Sequence, residues 1–412
     1  MTEPSLKIMA VGLRGIPHIQ GGIETHAAEL YPRLAKMGAE ITVIGRRAFR
    51  PTDVGASWRG IRLHWIWSPR RRGFEAAVHT VLGVLHAGIH RPDVLHIHAV
   101  GPSITVPLAK MLGLKVVVTH HGQDYEREKW NRAEKVLIRL GEKFAARFSD
   151  GLIAISSASQ SLLRAQYGRD SAFIPNGVGD LHHSSTDAHL KRYGLTRGRY
   201  VIQVSRLVPE KRQLDLITAF QSAQLSDWKL VLVGGTQGAE DYAAAVQRAA
   251  AGNSSIVCTG ALAAPAAHEL LSDAGLFVLP SSHEGLPIAL LEAIGHGVPS
   301  LASDIPGNRE IGLDADSYFM LGDTDSLSAR LKLLADSPEA RAAAMRNYPK
   351  ICSRFDWNQI AQATIAVMEA ASRRRRNAPA GKPAVSPASD RVSGASIAPR
   401  LIERASPSAH KT

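Results

Sequence analysis

The chain has 412 residues, 45% of them hydrophobic and 21% charged, and a formal net charge of +12. That length supports two or three domains, each able to bury its own core, and no apolar run approaches the roughly 20 residues of a membrane helix. The two cysteines, Cys258 and Cys352, exclude a disulfide framework and fit a reducing, cytoplasmic setting. Residues 1–7 lack the basic and apolar regions of a secretory leader. The positive charge points to phosphate-bearing substrates or an anionic membrane. Nucleic acid is not expected among the partners, because no binding module is recognisable and aromatic residues are only 6%.

From the N-terminus, residues 7–11 read as a short buried strand ending at Gly12. The loop after it carries Gly21-Gly22-Ile23-Glu24-Thr25 and opens a helical pattern over 23–37. Glycine backbone and a helix N-terminus therefore face whatever binds there. The spacing is not the G-x-G-x-x-G of a dinucleotide site, which argues against a dehydrogenase. Further strands are expected at 41–44, 94–97, 115–118 and 152–155. His96, His98, His120 and His121 fall at or near two of their ends. Imidazoles can ligate zinc, but no helix-borne histidine pair and no cysteine accompanies these four. No metal is expected, and His96 and His98 read as structural. Residues 125–149 interleave Arg127, Lys129, Arg132, Lys135, Arg139, Lys143 and Arg147 with Trp130 and other apolar residues. That pattern suits a helix packed on a sheet and equally one lying on an anionic membrane.

Between 181 and 198 the periodicity lapses into polar sequence, an expected interdomain link. It restarts with strands at 200–204, 229–233, 255–259 and 276–279. Strands alternating with helices imply parallel sheets with right-handed crossovers. The expectation is two doubly wound α/β domains, 1–180 and 199–356, which bind ligands beyond the carboxyl ends of their strands. A C-terminal helix at 357–376 is expected to pack back on the first domain. Residues 377–412, rich in Pro, Ala and Ser, are expected to be disordered.

The chemistry gathers in the second half. Glu284 to Glu292 read Glu-Gly-Leu-Pro-Ile-Ala-Leu-Leu-Glu after an apolar strand, with Pro287 opening a helix and Gly297 closing it. The amides of Gly285, Leu286 and Ile288 then sit at a helix N-terminus, an anion site. The flanking Glu284 and Glu292 would repel an anion but would accept hydrogen bonds from sugar hydroxyls. Ser205-Arg206-Leu207-Val208-Pro209-Glu210-Lys211 follows another strand, so Arg206 and Lys211 can meet one diphosphate. Two D-x-D triplets occur. The one at Asp323 to Asp325 precedes a helical pattern and reads as an N-cap, and the one at Asp314 to Asp316 reads as a turn.

Together, the 284–292 segment with its flanks, the S-R-L-x-x-x-K run and the 12–34 loop resemble glycosyltransferase family 4. The resemblance spans about residues 7–371. It implies the GT-B fold, two Rossmann-like domains facing across a cleft, with the acceptor side in the first domain and the donor side in the second. It implies retaining transfer of a hexose-type sugar from a nucleotide-sugar donor, without a cofactor. The acceptor it implies is a lipid-linked glycan at the inner membrane face, on a route to exopolysaccharide or O-antigen. In that family Gly22 lies near the donor phosphates, and the Thr119-His120-His121-Gly122 run places His121, or its neighbour His120, by the donor sugar. Gly285, Leu286, Pro287 and Ile288 would hold the donor with Glu284, and Glu292 would hold the ribose. A non-hydrolysing nucleotide-sugar epimerase of the same fold is the alternative enzyme. A non-catalytic binder of anionic lipid or nucleic acid is the alternative of another class.

Overall fold

The computed structural model describes residues 5–69, 74–126, 130–179, 186–236 and 238–373. Arg127, Lys129, part of the expected link and the expected disordered tail lie outside the described residues. The first half builds an eight-stranded sheet from β1 (Lys7–Val11), β2 (Glu40–Arg46), β3 (Ser57–Trp58), β4 (Ile61–Ile66), β5 (Val94–His98), β6 (Val116–His120), β7 (Gly151–Ala154) and β8 (Ala172–Phe173). Their order is β3-β4-β2-β1-β5-β6-β7-β8, parallel except for the β3–β4 pair. The second half builds a six-stranded sheet from β9 (Tyr200–Val204), β10 (Lys229–Val233), β11 (Ile256–Gly260), β12 (Leu276–Leu279), β13 (Ser300–Ser303) and β14 (Tyr318–Phe319), in the order β11-β10-β9-β12-β13-β14. The strand order reverses direction between β1 and β5 and again between β9 and β12. Such switch points leave a crevice at the carboxyl ends of the strands.

Both sheets are covered on both faces, which is why their strands read as unbroken apolar runs. Alternate residues supply the two faces. In β1, Ile8 and Ala10 pack with the helix Gly22–Lys36, while Met9 and Val11 join the opposite layer. In the second half, Tyr200 and Ile202 face one layer and Val201 the other. The helix Trp357–Arg373 returns to the first half, burying Trp357, Ile360, Ala361 and Met368 in the same cluster as Ile8 and Leu30.

Several elements escaped the sequence pattern, among them the strands β3, β4, β8, β13 and β14. The pair β3–β4 is short, and β4 alternates buried Ile61 and Leu63 with exposed Arg62 and His64. The helix Phe74–His90 keeps apolar Val81, Leu85 and Ile89 on its exposed side, which blurs its amphipathic period. Within the expected link lies the helix Ala188–Tyr193, anchored by buried Leu190 and stopped by left-handed Gly194 (φ 59°). Six residues are too few to show a 3.6 period. Pro287 also moves by one place: its ψ of 112° keeps it at the N-cap, and the helix runs Ile288–Gly295.

The two halves meet backbone to backbone at their strand ends. A Cβ on Gly122 would lie 3.1 Å from Gly285 Cα, and a Cβ on Gly285 would press into the His121 carbonyl oxygen. Only glycine fits both places without a shift of backbone. Gly285→Ala should therefore lower unfolding free energy by about 1–3 kcal/mol, the usual cost of overpacking. Gly55→Ala, where a Cβ meets nothing within 4 Å, should be neutral. Equal denaturation midpoints for the two variants would show that the halves do not press together at this point.

Candidate active site

The loop after β1 is held by one ion pair. Arg14 donates from Nε to Glu24 Oε1 at 3.1 Å and from its terminal nitrogen to Glu24 Oε2 at 3.2 Å and to the Gln20 carbonyl at 3.0 Å. Burial works to raise the Glu24 pKa, but the Arg14 charge and hydrogen bonds outweigh it and hold the group below its ordinary value. The loop is thereby fixed as Gly21 and Gly22 enter the helix. Gly22 is exposed, and a Cβ there would meet nothing within 4 Å.

In the second half, buried Gln203 and Gln213 shape the loop after β9. Gln203 Nε2 donates to the Lys211 carbonyl at 2.8 Å, and Gln213 Nε2 to the Arg206 carbonyl at 2.9 Å. The Ser282 amide donates to the Glu210 carbonyl at 2.9 Å, which locks this loop to the one after β12. The side chains then sort by charge. Lys211 Nζ is ion-paired with Glu284, and Arg206 lies 3.9 Å from Glu210. Both pairs are largely buried, where a charge without a partner is costly. Leu286 and Ile288 are buried at the start of the helix that carries Glu292.

Glu292 faces a cavity of about 160 Å³ between the halves. Gln20, Thr25 and Glu29 line it from the first half, and Val204, Val233 and His268 from the second. Burial pushes the Glu292 pKa up, against the pull of His268 Nε2 at 3.7 Å. Gln20 Oε1 also accepts from the Gly235 amide at 3.3 Å, a second tie across the cleft. Arg206, Lys211, Glu284 and His121 do not line this cavity. Along the chain Glu284 is joined to it by the 285–292 segment, and Arg206 follows the lining residue Val204 by two positions.

The four strand-end histidines divide into two groups. His120 is fully buried and bonded to Glu142 Oε1 at 2.8 Å, so it points away from the second half. His121 instead stands where Gly285 touches the first half. Its Nε2 lies 3.0 Å from His98 Nδ1. His98 Nε2 meets the Tyr31 hydroxyl at 2.5 Å, which meets His96 Nδ1 at 2.8 Å, and His96 Nε2 meets Thr119 Oγ1 at 2.7 Å. His26 joins from the helix Gly22–Lys36, with its ring 4.9 Å from that of His121.

Asn176, which the sequence did not single out, ties this cluster to the other half. Its Oδ1 meets His26 Nδ1 at 2.9 Å, and its Nδ2 donates to the Leu286 carbonyl at 2.8 Å. His26 and His268 also escaped notice, because neither lies in a motif of its own. The D-x-D triplets are not in the cavity lining, and their four aspartates are exposed. Asp323 caps its helix by accepting from the Ser326 amide at 2.9 Å, and Asp314 accepts from Asn347 at 3.2 Å.

Burial lowers His26 to about 4 and His96 to about 3, and it holds His98 and His121 well below the ordinary 6.5. In the unfolded chain these groups take up protons near 6.5, while the folded protein refuses them until far lower pH. The unfolded state then binds more protons, so stability falls as pH drops from about 6.5 towards 4. Above 6.5 the cluster contributes no pH dependence. Melting temperatures measured from pH 7.5 to 4 should show this fall, with a shallower slope in His26→Gln. A flat profile, or an unchanged slope in the variant, would contradict it.

Residues 20–180 match the family described as Glycosyltransferase Family 4, and residues 186–350 match Glycosyl transferases group 1. Alpha-maltose-1-phosphate synthase of Mycolicibacterium smegmatis is 26% identical over 387 residues, covering 85% of this chain and 96% of its own. The phosphatidyl-myo-inositol mannosyltransferase of the same organism is 25% identical, covering 86% and 91%. In three dimensions the chain resembles HepE of Anabaena, crystallised with UDP and glucose, at a TM-score of 0.73 and 20% identity over 88% of this chain and 99% of that one. With two doubly wound domains and a cleft between their strand ends, the chain is a glycosyltransferase of the GT-B fold, related to family 4 through its first half and to group 1 through its second.

Proposed function

We propose that the chain is a retaining hexosyltransferase that takes its sugar from a nucleoside-diphosphate donor. The observation that carries this reading is the Lys211–Glu284 pair, whose glutamate stands eight positions before Glu292, which faces the cavity between the halves. A donor spanning these points offers its diphosphate to Lys211 and Arg206. Glu284, relieved of neutralising the lysine, accepts from the sugar hydroxyls, while Glu292 accepts from the ribose. As the bond from the anomeric carbon to the phosphate oxygen breaks, the two cations and the amides near Gly22 stabilise the charge that grows on the diphosphate. The acceptor hydroxyl attacks from the face the diphosphate leaves, and its proton passes to a donor phosphate oxygen. His121 hydrogen-bonds the sugar at Gly285. Contact between the halves excludes water, so the sugar is transferred rather than hydrolysed. Two fixed cations supply the neutralisation, and no divalent ion is needed for the step.

For the acceptor we propose a lipid-linked glycan, on a route to exopolysaccharide or O-antigen. The helix Arg132–Phe148 supports a lipid-facing surface. Its residues Ile138, Ala145 and Ala146 pack inward, but Val136, Leu137 and Phe148 remain 63%, 53% and 43% exposed beside Arg132, Lys143 and Arg147. Apolar side chains among basic ones suit the surface of an anionic bilayer. Among the described residues no helix is long and apolar enough to cross a membrane. The relative from Mycolicibacterium named for phosphatidyl-myo-inositol supports a lipid acceptor by analogy.

A thermal-shift screen of nucleotide sugars identifies the donor, because ligand binding raises apparent stability. With that donor, Arg206→Ala and Lys211→Ala should each cut turnover by roughly a hundredfold or more, the scale of losing one group that stabilises transition-state charge. Near-normal kinetics in both variants would remove them from the diphosphate site. The two glutamates should fail differently. Glu284 touches the sugar whose bond breaks, so Glu284→Gln should act mainly on kcat. Glu292 serves a part of the donor that does not react. Glu292→Gln should raise donor KM by an amount equal to about 1–3 kcal/mol, the cost of a lost buried acceptor. Unchanged constants in both folded variants would reduce the segment to an ordinary βα turn.

A further inference from the structure

His26, His98 and His121 come from three separate elements, yet one ring nitrogen of each lies within 4.8 Å of the other two. We propose that these three imidazoles bind one divalent cation of the zinc type, and that the bound ion inhibits transfer by withdrawing His121 from the donor. The inhibitory half rests on the role given to His121 above, while the binding half stands on geometry alone.

Tautomer assignment supplies the argument. Asn176 Nδ2 donates to the Leu286 carbonyl, which fixes the amide so that Oδ1 faces His26 Nδ1 and that nitrogen carries the proton. His26 Nε2 is therefore a bare lone pair. It is buried, with no hydrogen-bond partner among the described residues. The chain of bonds from Thr119 through His96 and Tyr31 to His98 allows two proton orders, because both hydroxyls can donate or accept. In one, His98 Nδ1 donates to His121 Nε2. In the other, His96 donates to Thr119, Tyr31 donates to His96, and His98 Nε2 donates to Tyr31, which bares His98 Nδ1. The second order leaves a bare lone pair on each of three imidazoles whose ring nitrogens lie within 4.8 Å of one another, and a cation selects it.

The outer nitrogens match what metal-binding histidines need. Asn176 holds the far side of His26 and Tyr31 holds the far side of His98, at 2.9 and 2.5 Å. Such partners orient the ring and set the tautomer. The His98–His121 nitrogens are 3.0 Å apart, close to the spacing of about 3.3 Å that two ligands take on a tetrahedral ion with bonds near 2.0 Å. Three neutral imidazoles without carboxylate or thiolate select zinc and its neighbours over magnesium or calcium. The other histidine group, His64, His86 and His90, stacks ring on ring at 4.3 and 3.9 Å. Among the described residues, only His26, His98 and His121 bring three ring nitrogens together in a ligating group, and His90 Nδ1 is already bonded to the His86 carbonyl at 2.9 Å.

The test uses the full chain, stripped with a chelator and titrated with Zn²⁺ against a chromogenic zinc chelator. One ion per chain is expected to leave the dye. His26→Ala and His98→Ala should weaken that uptake at least tenfold, and Asn176→Ala by about 10–100-fold, as for loss of an outer partner, whereas His86→Ala should leave it intact. Co²⁺ should give the intense visible absorption of a low-coordinate site in the wild type. A wild-type protein that takes no zinc from the dye overturns the proposal without any variant, and so does a site lost in His86→Ala but kept in His26→Ala. In the transfer assay Zn²⁺ should inhibit over the same concentrations that fill the site, and filling without inhibition overturns the inhibitory half. If no donor is turned over at all, the reading of function fails while the dye titration still decides the site. Normal transfer with no zinc uptake fails the site alone.

Discussion

The contact of Gly122 and Gly285 is the constraint on which the rest of this molecule depends. At that point two separately folded sheets present their strand-end loops to each other with no side chain between them. Close approach brings the loops after β1, β6, β11 and β12 to one cleft. It brings Asn176 near enough to hold both His26 and the Leu286 carbonyl, and Gln20 near enough to hold the Gly235 amide. A single methyl group at either glycine would separate the loops and weaken all of these together.

The cleft is also balanced in charge. Arg14 is matched by Glu24, Lys211 by Glu284, and Glu210 by Arg206 at longer range. Partly buried ions of this kind add little net stability compared with apolar packing, but removing one partner strands the other. Pairing therefore serves the ligand-free state. The cations are held in place, and an incoming diphosphate exchanges one anion for another instead of meeting bare charge. Glu292 differs from these, since burial raises its pKa and only His268 stands against it. It is suited to hydrogen bonding with hydroxyls more than to holding a cation.

Beneath this charged layer lies a neutral one. Tyr31, Thr119 and the buried histidines His26, His96 and His98 form a nearly dry network directly under the loops that meet. Its rings have little room to turn, because nearly every polar nitrogen has a partner, and the exception, His26 Nε2, belongs to a ring packed edge-on against those of His98 and His121. Such a layer supports His121 rigidly from below while leaving its own protonation to acid pH far under neutrality.

The sequence by itself determined the architecture and most of the chemistry-bearing loops. Apolar runs such as those at β1, β9 and β12 are buried on both faces, so they are legible without partners, and each is followed by glycine, proline or charged residues that end it. Glu284, Glu292, Arg206 and Lys211 stand at fixed distances from those strands along the chain, and local geometry carries them to the carboxyl ends. What only the tertiary structure decided is pairing across the cleft. That Lys211 meets Glu284, that the His120 side chain turns to Glu142 while the His121 carbonyl lies against Gly285, and that Asn176 joins the halves are contacts between residues 22 to 164 positions apart in the chain. Periodicity reports which face a residue lies on. It holds no record of which distant loop arrives there, because that is set by how two whole sheets pack.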